Sequence, residues 1–400
     1  MQFDKVVIYS LPVIETFENS SHVSSTIKAD GKSFDIWYRV SSGPVADGVE
    51  SFLLACLVPA MKLGCPVRTP APVSAKLYHG LLRFQQVLHG WFPELKPVPI
   101  ETELRTRPLR ESLGSGTGSF FSAGVDACYT FLKNQAELTA CILVHGFDYH
   151  LEHSHIRQAV SQMAHQAMQT LGRPLIEVDT NLRSFSDHYA DFRQHYFGSI
   201  LASVAQLISP QIRKVYISSS RSADKLKPWG SHPDLDYLCG SDELDVVHYG
   251  CDVTRSQKTM YISQSDAILK ILRVCISGSH HSAEQYNCGK CEKCLRTMMD
   301  LRLAGALDRC TTFRHPFSLH RLARTRIDND VMDFYEESYV QAKERRDDPA
   351  LIRTLEACIS NKHHTGFAGV LQRMRKQMKR HIVRPVLGPV EQVVQRMVGR

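Results

Sequence analysis

Three cysteines, Cys288, Cys291 and Cys294, stand two residues apart from one another, and Cys275 precedes them with twelve residues between. Four thiolates at such spacing can close a tetrahedral metal site, with metal–sulfur bonds of about 2.3 Å for zinc. Gly289 suits the tight turn inside such a knuckle, and Lys290 and Lys293 would offset the charge of a zinc–tetrathiolate centre. An iron–sulfur cluster also accepts thiolates, but the helical run Leu295-Arg-Thr-Met-Met that follows favours a structural zinc ion. His280 and His281 read as surface loop residues. The other eight cysteines, Cys251 among them, are scattered, and most read as small buried hydrophobes.

A second constellation is Phe120-Phe-Ser-Ala-Gly-Val-Asp126-Ala-Cys-Tyr: an apolar strand end, a turn of small residues and a helix start. Small residues let backbone amides approach a ligand closely. The free N–H groups of a first helical turn, with the helix dipole behind them, favour an anion there. Ser122, Ala123, Gly124, Val125 and Asp126 are therefore the candidate anion-binding residues, with Asp126 able to cap the helix or hold a metal-bound water. Downstream, Arg255 and Lys258 lie three residues apart and would share a helical face.

The turn resembles the Ser-Gly-Gly-x-Asp-Ser phosphate loop of the ATP pyrophosphatase (PP-loop) superfamily. The match falls on Ser122, Gly124 and Asp126; Ala123 stands where the family prefers Gly, and Ala127 where it prefers Ser. Ala123 is acceptable if its φ stays negative, whereas Ala127 lacks a hydroxyl that would contact pyrophosphate oxygens. The order of phosphate loop, Cys, then Cys-x2-Cys-x2-Cys resembles the cyano-deazaguanine synthase branch of queuosine biosynthesis, over about residues 115–300. The resemblance implies a Rossmann-like (HUP-type) parallel sheet and ATP and Mg²⁺ at the loop. It also implies adenine along the backbone at His145 and Gly146, and a basic pair near the phosphates at Arg255 and Lys258.

The elements needed to position these residues are legible. Strand and helix patterns alternate: a strand from Ser119 to Ser122, a helix over 126–133, then strands at 139–145, 175–178, 214–218 and 245–249, with helices at 152–171 and 187–208 between them. That alternation predicts an α/β fold with a parallel sheet and helices on both faces. Polar stretches at Ser122–Asp126, His145–Asp148, Asp179–Arg183 and Ser218–Arg221 follow the strands, where ligands bind in such sheets. Trp229 and His232, in the long loop before residue 233, are candidates to line an acceptor pocket. Residues 1–110 read as a separate N-terminal α/β domain without a chemical motif, joined through Gly114-Ser-Gly-Thr-Gly118. The expected order is then the ATP-binding domain over 111–274, the cysteine knuckle over 275–300, a helical region over 301–370 and a basic amphipathic tail over 371–400.

The chain has 400 residues, 43% hydrophobic and 22% charged, enough for a sizeable core. No run approaches the ~20 apolar residues of a membrane-spanning helix, and the first residues read as a strand rather than a secretory leader. The expected location is cytoplasmic. The net charge is +7, and the tail holds eight basic residues against Glu391 alone, so the rest is formally neutral. The tail's Leu371, Met374, Met378 and Ile382 recur at helical spacing, which admits peripheral membrane contact.

These readings converge on an ATP-dependent, AMP-forming and pyrophosphate-releasing ligase. It would adenylate a carboxylate or amide oxygen of a small-molecule or protein acceptor for attack by a nitrogen or sulfur nucleophile. Asp126, Arg255 and Lys258 are the expected catalytic residues, with a homodimer admitted. Two other readings remain at this point: a zinc-containing nucleic-acid-binding protein or tRNA modifier, and a catalytically inactive nucleotide-binding scaffold.

Overall fold

Successive residues of the central strands divide between two apolar layers, as the two-residue period of a strand requires when both faces are covered. Phe120, Ile142, Val178, Val215 and Val246 enter one layer; Phe121, Cys141, Leu143, Tyr216 and Val247 enter the other. In the computed structural model, which describes residues 6–8, 10–105, 115–275 and 286–360, those strands belong to a sheet of eleven.

The strands in chain order are β1 (Val6–Ile8), β2 (Val13–Phe17), β3 (Ser20–Ala29), β4 (Lys32–Val40), β5 (Val67–Arg68), β6 (Val73–Ser74), β7 (Ile100–Glu101), β8 (Leu104–Arg105), β9 (Gly116–Phe120), β10 (Ala140–His145), β11 (Leu175–Thr180), β12 (Ile212–Ser218) and β13 (Asp245–Tyr249). The main sheet runs β13-β12-β9-β10-β11-β4-β3-β1-β5-β7, with β2 paired to β3, and β6 and β8 form a small second sheet. Strands β9 to β13 are mutually parallel, and β11 meets β4 antiparallel.

Helices α1 (Glu50–Leu63), α2 (Ala75–Trp91), α5 (Leu182–Ser186) and α6 (Phe197–Leu207) supply the first apolar layer. Helices α3 (Val125–Asn134), α4 (Ser154–Leu171), α8 (Arg255–Ile262), α9 (Asp266–Leu269) and α10 (Glu292–Leu303) supply the second. The four-residue α7 (Pro233–Asp236) lies between β12 and β13 in the chain. The predicted parallel α/β core is therefore present. Where a helix over 187–208 was expected, a π-helical turn at Phe192–Tyr196 precedes α6.

Residues 6–105 do not stand apart as the expected N-terminal domain. They extend the same sheet through the β11–β4 pairing, and residues 1–317 form one compact unit. Side chains reinforce the join: Arg39 holds Asp179 at 3.0 Å, Lys76 holds Asp245 at 2.7 Å, and half-buried Arg105 bridges Glu50 to Glu243. Of the stretch expected as a joint, Gly114 lies outside the described residues, and Gly116–Gly118 belong to strand β9, which is buried along its whole length. Its glycines make room for neighbours: a Cβ on Gly116 would lie 2.6 Å from the Gln211 carbonyl oxygen, and one on Gly118 would lie 2.9 Å from Cδ1 of Ile142.

The second unit, from Ser318, comprises α11 (Leu319–Arg324), α12 (Met332–Arg345) and α13 (Pro349–Ser360) in its described part, with Leu322, Leu351, Leu355 and Cys358 buried. The boundary thus falls after α10 rather than at 301. The basic tail at 371–400, and His280 and His281, lie outside the described residues. No described helix is long and apolar enough to cross a membrane.

Because the Gly116 neighbour is backbone, Gly116→Ala is expected to lower stability by about 1–3 kcal/mol through overpacking. A urea titration showing an unchanged midpoint would remove this explanation of the buried glycine strand.

Candidate anion crevice and metal centre

Strand β9 is central, and the chain leaves it in both directions: β10 and β11 are added on one side, β12 and β13 on the other. Loops after β9 and β12 therefore diverge, opening a crevice at the carboxyl ends of the strands. The turn after β9 carries Ser122 to Asp126. Ser122 is exposed, Ala123 is buried, and Gly124 is the extended N-cap residue of α3 with no side-chain cap. The first-turn amides of a ten-residue helix thus lack the usual capping oxygen.

Ala123 fits the place of the family's glycine only on condition that its φ is negative. The structure gives +59°. An L-residue in this region carries about 1–2 kcal/mol of strain, partly offset here by burying its methyl, about 0.8 kcal/mol. Strain held in such a turn is a feature of binding loops.

Arg255 and Lys258, expected on one helical face, both face Asp126. Arg255, at the start of α8, reaches its Oδ2 at 2.5 Å, and Lys258, one turn on, approaches its Oδ1 at 3.9 Å. The α8 start is fixed by a capping box between Thr254 and Gln257, which sets both cations on the face toward α3. Lys258 is fully buried and donates to the Ser219 carbonyl at 2.6 Å. Burial opposes ionisation of Asp126, but Arg255 and Lys258 outweigh it and hold the carboxyl below its ordinary range. Burial pushes the Lys258 ammonium down, and Asp126 pulls it back only partly. Asp126 Oδ1 is buried without a hydrogen bond.

Sequence reasoning missed Arg273. It is 7% exposed, its Nε is buried without a hydrogen-bond partner, and no ion pair joins it among the described residues. Its backbone N–H donates to the Ala123 carbonyl at 2.8 Å, which ties it to the strained turn. A buried guanidinium without a carboxylate is costly unless an anion completes it. Its only sequence signal is that it lies two residues before the first clustered cysteine.

The four cysteines do converge. Cys275 and Cys291 sulfurs are 3.9 Å apart, Cys288 and Cys294 sulfurs 3.8 Å, and all four lie within 4.8 Å of one another. A tetrahedron with metal–sulfur bonds of about 2.3 Å has edges of about 3.8 Å, so the cluster can hold one metal ion. These spacings are far longer than the ~2.05 Å of a disulfide. The amides of Lys290 and Cys291 donate to Cys288 Sγ at 3.4 and 3.3 Å. Gly289 adopts φ +67°, and a Cβ there would meet the His315 carbonyl oxygen at 2.4 Å.

The knuckle is joined to the crevice. Buried Asn287 accepts from the amides of Val274 and Cys275 at 2.7 and 3.1 Å and donates to the Leu272 carbonyl at 2.7 Å. It thereby clamps the segment that carries Arg273. Helix α10, which begins at the last cysteines, also brings Arg296 close enough to lower the Asp126 carboxyl. Lys293, expected to serve the thiolates, is instead pushed down by burial among Asp148, Arg255 and Arg296.

The remaining expected site residues lie in two further places. His145 is fully buried, with Nδ1 against the Tyr149 hydroxyl and Nε2 2.8 Å from Glu177, so its side chain is committed within the protein. Gly146 has φ +96°, and a Cβ would strike the Thr180 carbonyl at 2.2 Å, leaving backbone alone at this edge. His232 caps α7 and packs on Trp91 rather than lining a pocket.

Comparison with protein-family models, curated proteins and solved structures finds no match.

Ala123→Val should cost about 2–3 kcal/mol, since a β-branched side chain is poorly tolerated at positive φ in a packed site; chemical denaturation measures it. Glu177 is held at about 2 despite burial, by His145 and Ser161, against an ordinary 4.5. Its contribution to stability should be full above 4.5 and fade as pH falls toward 2, and Glu177→Gln should flatten that part of the pH–stability curve.

Proposed function

We propose that the crevice binds the triphosphate of ATP, and that the protein is an AMP-forming, pyrophosphate-releasing ligase of PP-loop type. The observation that carries this reading is that Arg273, whose buried guanidinium has no ion-pair partner among the described residues, sits on the segment whose backbone bonds the Ala123 carbonyl just before the uncapped start of α3. An anion there would receive the first-turn amides, the Ser122 hydroxyl and Arg273 together, and Lys258, Arg255 and Arg296 would add charge around it.

On this reading the protein works mainly by positioning and neutralisation. Charge grows on the bridging oxygen as a carboxylate or amide oxygen of the acceptor attacks the α-phosphate, and Arg273 and Lys258 oppose it as pyrophosphate leaves. Asp126 Oδ1, buried without a hydrogen bond, suits a water of the Mg²⁺ that accompanies ATP. That ion would neutralise phosphate oxygens. The four-cysteine site takes zinc on this reading, as a structural ion that keeps segment 272–275 and α10 against the crevice. Ala127 supplies no hydroxyl, so the pyrophosphate depends the more on backbone amides.

The test separates binding from folding. Arg273→Met should weaken ATP binding about 10–100-fold by calorimetry, the equivalent of one or two charge-assisted hydrogen bonds. It should leave the ligand-free protein as stable or more so, because a buried unpaired charge is removed. Asp126→Ala should abolish pyrophosphate release from ATP. Unchanged ATP affinity in Arg273→Met would remove the reading. Chelating the metal should weaken ATP binding as well as lower the unfolding midpoint.

A further inference from the structure

Beside the phosphate crevice, at the end of β13, a second set of reactive groups comes together that neither the cysteine knuckle nor the anion site uses. His248, on β13, directs Nδ1 to Asp236 Oδ2 at 2.7 Å. Asp236, at the end of α7, is 1% exposed and is fixed further by the Ser231 hydroxyl at 2.7 Å and the His232 amide at 3.3 Å. It also abuts the backbone of Gly198, where a Cβ would lie 2.1 Å from Oδ1. The His248 side chain is 5% exposed, and its second nitrogen, Nε2, is buried with no hydrogen-bond partner. An acceptor-oriented imidazole with one free nitrogen is the arrangement that activates a neighbouring nucleophile.

That neighbour is Cys251, three residues on and half-buried. Its carbonyl accepts from the Ala223 amide at 2.8 Å, which anchors it after the bend at Gly250, φ +93°. Gly250 packs against the crevice itself: a Cβ there would sit 3.5 Å from Cε of Lys258 and 3.5 Å from the Tyr129 ring. The backbone next to Cys251 thus packs against the cation that faces Asp126.

We propose that Cys251 is a nucleophile, with His248 as its proton acceptor and Asp236 as a positioning residue, that takes an acyl group from a carboxyl adenylate formed in the adjoining crevice. This rests on the ATP-dependent reading above. The thiol proton passes to His248 Nε2. The thiolate then forms a C–S bond to the adenylated carbonyl carbon, and the C–O bond to the phosphate breaks with its electron pair leaving on AMP. A neutral nitrogen nucleophile next forms C–N as C–S breaks. The sulfur leaves as thiolate, beside the imidazolium, and the nitrogen releases its extra proton to solvent.

The electrostatics agree. Burial pushes the Cys251 thiol up, but His248, Ser219 and Lys258 outweigh it and hold it below the ordinary thiol range. Burial lowers His248, yet Asp236 and Cys251 carry it to about 9. His232 also faces His248, Asp126 and Asp252 face Lys258, and all act on the same pair through these neighbours.

The full-length, metal-loaded protein can be treated with iodoacetamide from pH 5 to 9 and the modified cysteines mapped by peptide mass spectrometry. Cys251 is expected to react about tenfold or more faster than any other cysteine outside the metal cluster at pH 7, with its profile displaced toward acid. His248→Gln and Asp236→Asn are each expected to return the profile toward that of an ordinary thiol. With acetyl adenylate, Cys251 is expected to carry a hydroxylamine-labile acetyl group. Ordinary reactivity in the wild-type protein, which needs no variant to fold, overturns the proposal, as does a rate indifferent to His248. Calorimetry with AMP tells the two readings apart. AMP binding without acetyl capture overturns the acyl-transfer role alone. Absence of nucleotide binding overturns the ATP reading, and this step with it.

Discussion

Cations crowded at a helix start need an anion, and the crevice of this protein is organised around that requirement. Lys258 is buried outright, Arg255 and Arg273 are nearly so, and Asp126 is set between the first two. Among the described residues Arg273 is left without an ion pair, and its Nε is buried without a hydrogen bond. Holding such charges inside a protein is unfavourable unless the rest of the fold enforces it. The sheet does so. Its order sends the chain away from β9 on both sides, so the turns after β9, β12 and β13 and the start of α8 meet at one place from distant parts of the sequence.

The cysteine cluster belongs to the same device rather than to a separate module. Segment 272–275 is held at one end by Cys275 and Asn287, and through Arg273 it reaches the carbonyl of Ala123. A metal ion on the four sulfurs would therefore fix the position of a guanidinium without touching it. Ala123 takes up a left-handed backbone to make that link, and the burial of its methyl explains how a residue other than glycine can persist there.

Residues 6–105 contribute by extending and bracing the sheet. The antiparallel seam between β4 and β11 covers the β11 side of the parallel strands, so that β11 is not an edge. Ion pairs from Arg39, Lys76 and Arg105 then anchor that half to the strands and turns of the other. Composition suggested a division here because prolines and glycines cluster between the two halves. Glycine, however, marks both loops and strands that are packed too closely for a side chain, and β9 is the latter.

Local pattern alone determined the alternating strands and helices, the small-residue turn after β9 and the four cysteines, because each rests on near-neighbour spacing. It also put Arg255 and Lys258 on one helical face, though not what they face. Tertiary structure decided the rest. Asp126 and Arg255 are 129 residues apart and become partners only when α3 and α8 pack together. Arg273 carries no motif, and its importance lies in lacking a partner, which no sequence can state. Cys251 reads as one more small apolar residue until β13 and α7 bring His248 and Asp236 beside it. Spacing records what a short stretch can do, whereas burial, pairing and the absence of pairing are properties of neighbours that the chain meets only after it has folded.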